Sequence, residues 1–573
     1  MKVDKKIFIC TAIVLMMLLC INASSATEPL NQTSGADIGD KIAINDASDD
    51  VLSVSGNDDL KNQLDDTALA DGTGDAIYVS VTGNNESDGQ SRETAVRTIA
   101  KAVELANNGP GKVIILEGTY TESNIEIDKD KPIYIAGEGN VVIDGGSDSN
   151  SIFVMHGGEA SFTNIKFTNA NPSYGGAIFM NSGSGTGRDV IDVNVLVDNC
   201  TFDDLKTTKR GGAIYAWYVQ GDIIIERSNF YNMNVSQWGG AVCVGYSPDV
   251  NVGIYGSKFE NNSANNGGGV YLQANEVNMV DSTFNNNSAT YDSGAVYLYD
   301  CIATVDKCVL TNNKAGSQGV AVKFTRPTSG SPSVKTLTVT NSVIENNSAT
   351  DATLPAIYVD MQTLYISYSS LINDISIETR TGQGYGAVYG QGIAVANNNW
   401  WNTNDPTAKV SGQNVTVDRW VVMNVEASTS QVESGDEVTL TVDFNHVNTT
   451  SGVLEELSGG EIPKESYDVK FTAVNGTVEP ETLTVLKGEV KQVTFTAAGA
   501  DALVNVKSGE ASEDIVFKGQ SSQNDYHGII YVDVNGDDSQ EGSINAPVSS
   551  IAKAIELAND GLVQIVINEG TYK

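Results

Sequence analysis

Along residues 125–400 the apolar positions recur in a fixed order without helical spacing. Each unit carries a small residue, a variable residue, a large apolar residue, another variable residue and then Asn, followed by a Gly-Gly-Ala-Ile/Val-Tyr segment. The large apolar position falls at Phe167, Phe202, Phe230, Phe259, Phe284, Leu310, Ile344, Leu371 and Trp400, at intervals of 25 to 35 residues. A repeat of that period belongs to stacked supersecondary units. In the Gly-Gly segment Ile178, Ile214, Val242, Val270, Val296, Val322 and Ile357 are apolar, as are Met180, Ala216, Val244, Leu272, Leu298, Phe324 and Val359 two residues further on. Between them stand Phe179, Tyr215, Cys243, Tyr271, Tyr297, Lys323 and Tyr358, a position that accepts a lysine and therefore faces outward. This is strand alternation. Short apolar runs and Gly-rich corners then predict an all-β fold whose main body is a right-handed parallel β-helix of short parallel strands.

Coils of such a solenoid lie about 4.7–4.9 Å apart, so equivalent residues stack. Two residues past the large apolar position stand Asn169, Asp204, Asn232, Asn261, Asn286, Asn312, Asn346, Asn373 and Asn402. Asn tolerates left-handed backbone and its amide can bond the equivalent residue above and below, which predicts an inward-bonded structural ladder at a sharp corner. Cys200, Ser228, Ser257, Ser282, Cys308 and Ser342, two residues before the apolar position, read as inward packing and not as redox chemistry. Asn261-Asn-Ser, Asn286-Asn-Ser and Asn346-Asn-Ser match the glycosylation acceptor pattern, but a glycan there would break the ladder. These three sites are expected to be empty, with any glycans at Asn31, Asn448 and Asn475.

The flanks differ. Lys2, Lys5 and Lys6 precede an apolar run from Ile7 to Ile21 and the small residues Ser24-Ser25-Ala26, which reads as a secretory signal over 1–26. Residues 27–76 form an acidic flexible leader. The β-helix is expected over 77–423, with an amino-terminal cap at 77–120 whose helix puts Val96, Ile99, Val103 and Ala106 on one face. Short alternating strands over 424–519 predict an immunoglobulin-like β-sandwich without its disulfide. After a linker at 520–528 the cap returns over 529–573 as the start of a second, truncated β-helix. Ile530 to Gly536 there matches Ile77 to Gly83, and Glu569-Gly-Thr-Tyr572 matches Glu117-Gly-Thr-Tyr120.

A formal net charge of -38 excludes nucleic acid and anionic lipid as partners. Of six cysteines, Cys10 and Cys20 lie in the signal, and the other four show no disulfide framework.

The cap motif, the Asn-Asn-Ser-Ala and Gly-Gly-Ala-Val-Tyr coils, and Asn399-Trp400-Trp401 with Asp405-Pro406 resemble the adhesin-like surface proteins of methanogenic archaea. Those proteins string pectate-lyase-like (pectin-lyase-fold) β-helices and immunoglobulin-like domains into stalks. The resemblance implies a secreted, cell-surface or envelope protein that contacts other cells or polysaccharide, held by an anchor not seen in this sequence.

Three function classes compete: an adhesin-like stalk, a purely structural envelope spacer, and a polysaccharide lyase or glycoside hydrolase. A lyase needs a carboxylate cluster for Ca²⁺ and a nearby base, and a hydrolase needs paired carboxylates on neighbouring coils. Neither stands out, and His156 is the one histidine of the repeat region, so no enzyme and no catalytic residue is expected. Asn402-Thr-Asn-Asp405 reads as a last-coil turn. No cofactor is expected beyond a Ca²⁺ ion at Asp88 or Asp537-Asp538, which read more simply as solvated turns. Tyr215, Trp217, Tyr271, Tyr297 and Tyr299 are candidates for an outward, sugar-stacking strip that folding does not need.

Overall fold

The computed structural model describes residues 76–572 except 128–130, 147–148, 182–188, 328–332, 381–391, 413, 458–460, 500, 520–528 and 559–563. The signal, nearly all of the leader, Asn31 and the linker lie outside the described residues. From Ile77 to Val415 the strands pair in parallel, each with its equivalent one coil on, as a right-handed β-helix.

One coil shows how the sequence makes the turn. Val219–Glu226 runs along one face, with Val219, Ile223 and Ile225 in the core. Arg227 then adopts φ 46° and Ser228 turns inward. Asn229–Tyr231 follows with Phe230 pointing into the core, and Asn232 at φ 60° turns the chain again. After the Gly239-Gly240 corner, Val242–Gly245 closes the coil. Repetition stacks the rings: Phe202–Phe230, Phe230–Phe259 and Phe259–Phe284 centroids are each 4.6 Å apart, with planes within 8°. All four rings are fully buried. The interior is one continuous apolar cluster from Ile77 to Trp401.

The asparagine column needs correction. Asn169, Asp204, Asn232, Asn261, Asn286, Asn312, Asn346 and Asn402 do hold left-handed backbone, with φ between 53° and 63°. Their side chains, however, lie on the outside: Asn169, Asn232, Asn261, Asn286, Asn312 and Asn346 are exposed. They still bond along the column, as Asn286 Nδ2 does to Asn261 Oδ1 at 2.7 Å, but in solvent. The burial argument for empty glycan sites at Asn261, Asn286 and Asn346 therefore fails.

The inward ladder is the next residue, Asn262, Asn287, Asn313 and Asn347. Asn287 donates to the Phe259 carbonyl at 2.9 Å and its Oδ1 accepts from the Asn262 backbone N at 3.1 Å. The same bonds recur at Asn313 and Asn347. Asn373 belongs to this inner ladder, because its coil is one residue shorter there: Leu371 pairs with Ile344, and Asn373 Oδ1 accepts from Asn347 N at 3.0 Å.

The small column is also bonded as well as packed. Ser257 Oγ accepts from Ser228 N at 3.0 Å and Ser282 Oγ from Ser257 N at 3.1 Å. Cys200 and Cys308 fill the same buried position, and the four described cysteines are free.

At the amino end α1 (Ile99–Asn107) buries Ile99, Ala102, Val103 and Ala106 against the open coil. Thr98 caps it, and the Glu122 carboxylate accepts from Ile99 N at 2.8 Å and Ala100 N at 3.0 Å. Burial raises the Glu122 pKa against those two bonds. The Tyr120 hydroxyl donates to the Leu116 carbonyl at 2.7 Å. Residues 529–572 repeat this arrangement: Ile529–Val532 pairs in parallel with Gln564–Ile567, α2 (Ile551–Ala558) takes the place of α1, and the Tyr572 hydroxyl donates to the Asn568 carbonyl at 2.8 Å.

Between them two sheets face each other. Arg419–Ala427, Glu437–Thr449, Val490–Ala497 and Gly476–Glu479, with Leu454–Glu456 paired to Glu437–Thr449, form one, antiparallel throughout. Gln431–Val432, Ala511–Gly519, Ala502–Ser508, Ser466–Val474 and Thr482–Leu486 form the other, with one parallel pair. Leu440, Val442, Phe444 and Phe495 meet Val469, Phe471, Val504 and Phe517 in a single core. Its first strand starts at Arg419, inside the range expected for the solenoid.

Candidate functional site

The outer side of the Gly-Gly strands carries the candidate aromatics. Register places Phe179, Tyr215, Cys243, Tyr271, Tyr297, Lys323 and Tyr358 in one column. Beside it Tyr174, Arg210, Trp238 and Asn266 form a second column through bridges between successive coils.

The rings overlap in sequence. Phe179–Tyr215 are 5.6 Å apart, Tyr215–Trp217 5.5 Å, Trp217–Trp238 5.8 Å, Trp238–Tyr271 5.1 Å and Tyr271–Tyr297 4.9 Å, each pair near parallel. Trp238 thus spans the gap that the small Cys243 leaves in the column. A Cβ on Gly245 would run into the Trp217 ring, so the glycine lets the indole lie flat over the next coil.

This packing corrects the expectation of a freely exposed strip. Tyr215, Trp217 and Tyr271 do point away from the core, yet they are 4%, 9% and 8% exposed, covered by one another and by Tyr174, Trp238 and Tyr218. They are the foundation of the face, and folding uses them. Tyr297 and Tyr299 are half-buried and Tyr246 is 47% exposed, so the accessible rings are these together with Trp238 and Tyr218. Tyr246 packs on Trp217 at 4.9 Å. Trp238, Tyr174 and Arg210 were legible as the residue just before each Gly-Gly corner.

Burial above all pushes the phenols of Tyr215, Tyr271 and Tyr297 well above their ordinary range. Arg210 opposes the shift at Tyr215. Toward the carboxyl end the face turns polar: Lys323 Nζ is 2.8 Å from Asp292 Oδ2 and lies against the rings of Tyr297 and Tyr358. Asp300 and Asp360 are raised by burial, against the pull of nearby cations.

The remaining candidates have local partners. Asn404 staples Met423, accepting from its N at 2.8 Å and donating to its carbonyl at 3.0 Å. Asp405 caps the turn Pro406–Lys409, and the bonds it accepts from the Thr407 hydroxyl and from Thr407 N lower its pKa. Asp538 accepts from Ser549 N and Ser550 N, and Asp88 from Gln90 N. His156 is exposed and bonds the Asn181 carbonyl. Among the described residues no group of three or more His, Cys, Asp or Glu side chains is placed to hold a metal, and no helix is long and apolar enough to cross a membrane.

Among known proteins, the family described as "Right handed beta helix region" matches residues 150–331. That match falls within the parallel coils that run from Ile77 to Val415. No curated protein matches it. Solved structures similar to it include the Pseudomonas phage phi297 tailspike gp61, with 9% identity over 72% of this chain and 90% of that one, at a TM-score of 0.29. The Dettilon tailspike protein gp208 shows 10% identity over 78% and 92%, at 0.28. The tailspike of E. coli bacteriophage HK620, solved in complex with a pentasaccharide, shows 13% over 75% and 92%, at 0.20. The pentasaccharide is the ligand of that protein.

Proposed function

We propose that this chain is a secreted or cell-surface, adhesin-like protein whose β-helix binds polysaccharide on its outer aromatic face without cleaving it. The observation that carries the reading is the overlapping series from Phe179 to Tyr297, with Trp238, Tyr246, Tyr297 and Tyr299 accessible along it. Aromatic faces with polar tips suit ligands that are apolar on one side and wet on the other, as sugar rings are. Their mounting on a stacked sheet holds them in place before the ligand arrives, which lowers the entropy lost on binding. The burial of Tyr215, Trp217 and Tyr271 favours the second reading, a structural spacer whose rings serve only the fold.

A glycan array separates the two. Changing Tyr246 and Tyr297 together to Ala is expected to lower retention on the bound glycans by roughly tenfold, each ring supplying about 0.5–1.5 kcal/mol, with the circular dichroism unchanged. Retention equal to wild type, or no glycan bound by either protein, leaves the spacer reading. No released product is expected; product that disappears in Asp360→Asn would replace binding by hydrolysis.

A further inference from the structure

The cations of this chain are outnumbered, 34 Lys and Arg against 72 Asp and Glu, and several are paired with carboxylates. Lys166 pairs with Asp203, Lys206 with Asp204, Arg227 with Asp198 and Lys323 with Asp292. Lys209 and Arg210 stand apart, for neither joins an ion pair among the described residues. Arg210 Nε donates to Gln237 Oε1, a neutral acceptor, at 2.6 Å, and its other polar neighbour is the Tyr215 phenol. Its guanidinium carbon lies 4.0 Å from the Trp238 ring centre and 4.7 Å from that of Trp217. Lys209 is exposed, with Nζ 5.4 Å from the Tyr174 ring.

Both residues sit on backbone that the stack holds fixed. Lys209 N donates to the Ser173 carbonyl at 3.0 Å, and Gln237 N donates to the Lys209 carbonyl at 2.9 Å. Arg210 bridges Tyr174 on one side and Trp238 on the other. The acidic end of the face begins three coils away at Asp292, roughly 14 Å at the usual strand spacing. That exceeds the Debye length of about 8 Å at physiological salt, so the two ends act separately.

We propose that Lys209 and Arg210 bind the anionic group of a singly charged sugar (a carboxylate, sulfate or phosphate) within an otherwise neutral glycan whose neighbouring rings lie on Trp238, Tyr246 and Tyr297. A planar guanidinium fixed against indoles loses little freedom when it takes an oxyanion, and such bonds are stronger than neutral ones. A dense polyanion is disfavoured, because the net charge of -38 opposes its approach. The assignment rests on the carbohydrate reading of the face.

The test uses the full chain on an array of matched oligosaccharides, each printed neutral and with one uronate, sialate, sulfate or phosphate group. Charged members are expected to bind more tightly than their neutral partners, and Lys209→Gln with Arg210→Gln is expected to abolish that preference, lowering charged-glycan affinity by about tenfold or more. Neutral-glycan binding and the thermal transition serve as controls. Arg210→Lys with Lys209 intact is expected to keep part of the preference, since charge survives without the planar fork. Equal binding of charged and neutral members, or a preference that survives the double substitution, overturns this assignment and leaves the carbohydrate reading standing. Absence of binding to every member overturns both.

Discussion

Two neighbouring asparagines in one repeat carry unlike duties. Asn286, at φ 53°, is exposed and its amide bonds Asn261 in solvent, whereas Asn287 is fully buried and joins three coils. Asn287 donates to the Phe259 carbonyl and to Asn313 Oδ1, and accepts from Asn262. Replacing it with Ala strands buried partners at about 1–3 kcal/mol each, so Asn287→Ala is expected to lower the urea midpoint clearly. Asn286→Gly keeps the left-handed corner and loses one exposed bond, so its midpoint is expected to stay close to wild type. Equal midpoints for the two variants would contradict the inner ladder. The repeated Asn-Asn was visible in the sequence, but which of the two turns inward depends on the left-handed residue between strand and corner. A strand carried through Asn286 at period two puts its amide inside; a left-handed residue there hands the inward position to Asn287. The phenylalanine column was legible because its neighbours are ordinary strand residues, for which alternation holds.

At the level of the strand, alternation correctly gave the direction of Tyr215, Trp217 and Tyr271 but not their exposure. Direction follows from one strand, while exposure follows from what the next coil and its corner supply, here Trp238 and Tyr174. The stack has a consequence for pH. Burial raises the folded-state phenol pKa values of Tyr215, Tyr271 and Tyr297 above the unfolded value of about 10. Groups raised in this way contribute stability that is fully present below the unfolded value and is lost as pH rises from there through the folded values. The protein is therefore expected to lose stability above about pH 10, with these phenols ionising late and together with unfolding. Phenolate absorbance followed alongside circular dichroism checks this: complete ionisation of all tyrosines near pH 10, with the fold intact, would contradict the packed stack.

On the scale of the whole chain, two adjacent tryptophans join the solenoid to the sandwich. Trp401 is fully buried in the β-helix core, whereas Trp400 is 1% exposed and belongs to the sandwich core, edge-on to Phe444 at 5.1 Å and to Tyr467 at 5.6 Å. The two side chains enter different cores, so one dipeptide serves both interiors. Around it Lys409 pairs with Glu510 at 2.7 Å, Lys464 with Glu345 at 3.2 Å, and the Asn402 carbonyl accepts from Glu510 N and Ala511 N. A solenoid end exposes strand edge and open core, and here the sandwich covers it as α1 covers the other end. Removing the shared ring should separate what it joins. Trp400→Ala opens a cavity costing about 3–5 kcal/mol, felt first by the sandwich and then by the last coil that it covers. Wild-type residues 77–519 are expected to unfold in urea as one transition, and the variant in two, the earlier one reported by loss of sandwich signal. A single transition in the variant at the wild-type midpoint would show that the two parts stand independently and that Trp400 is not their common support.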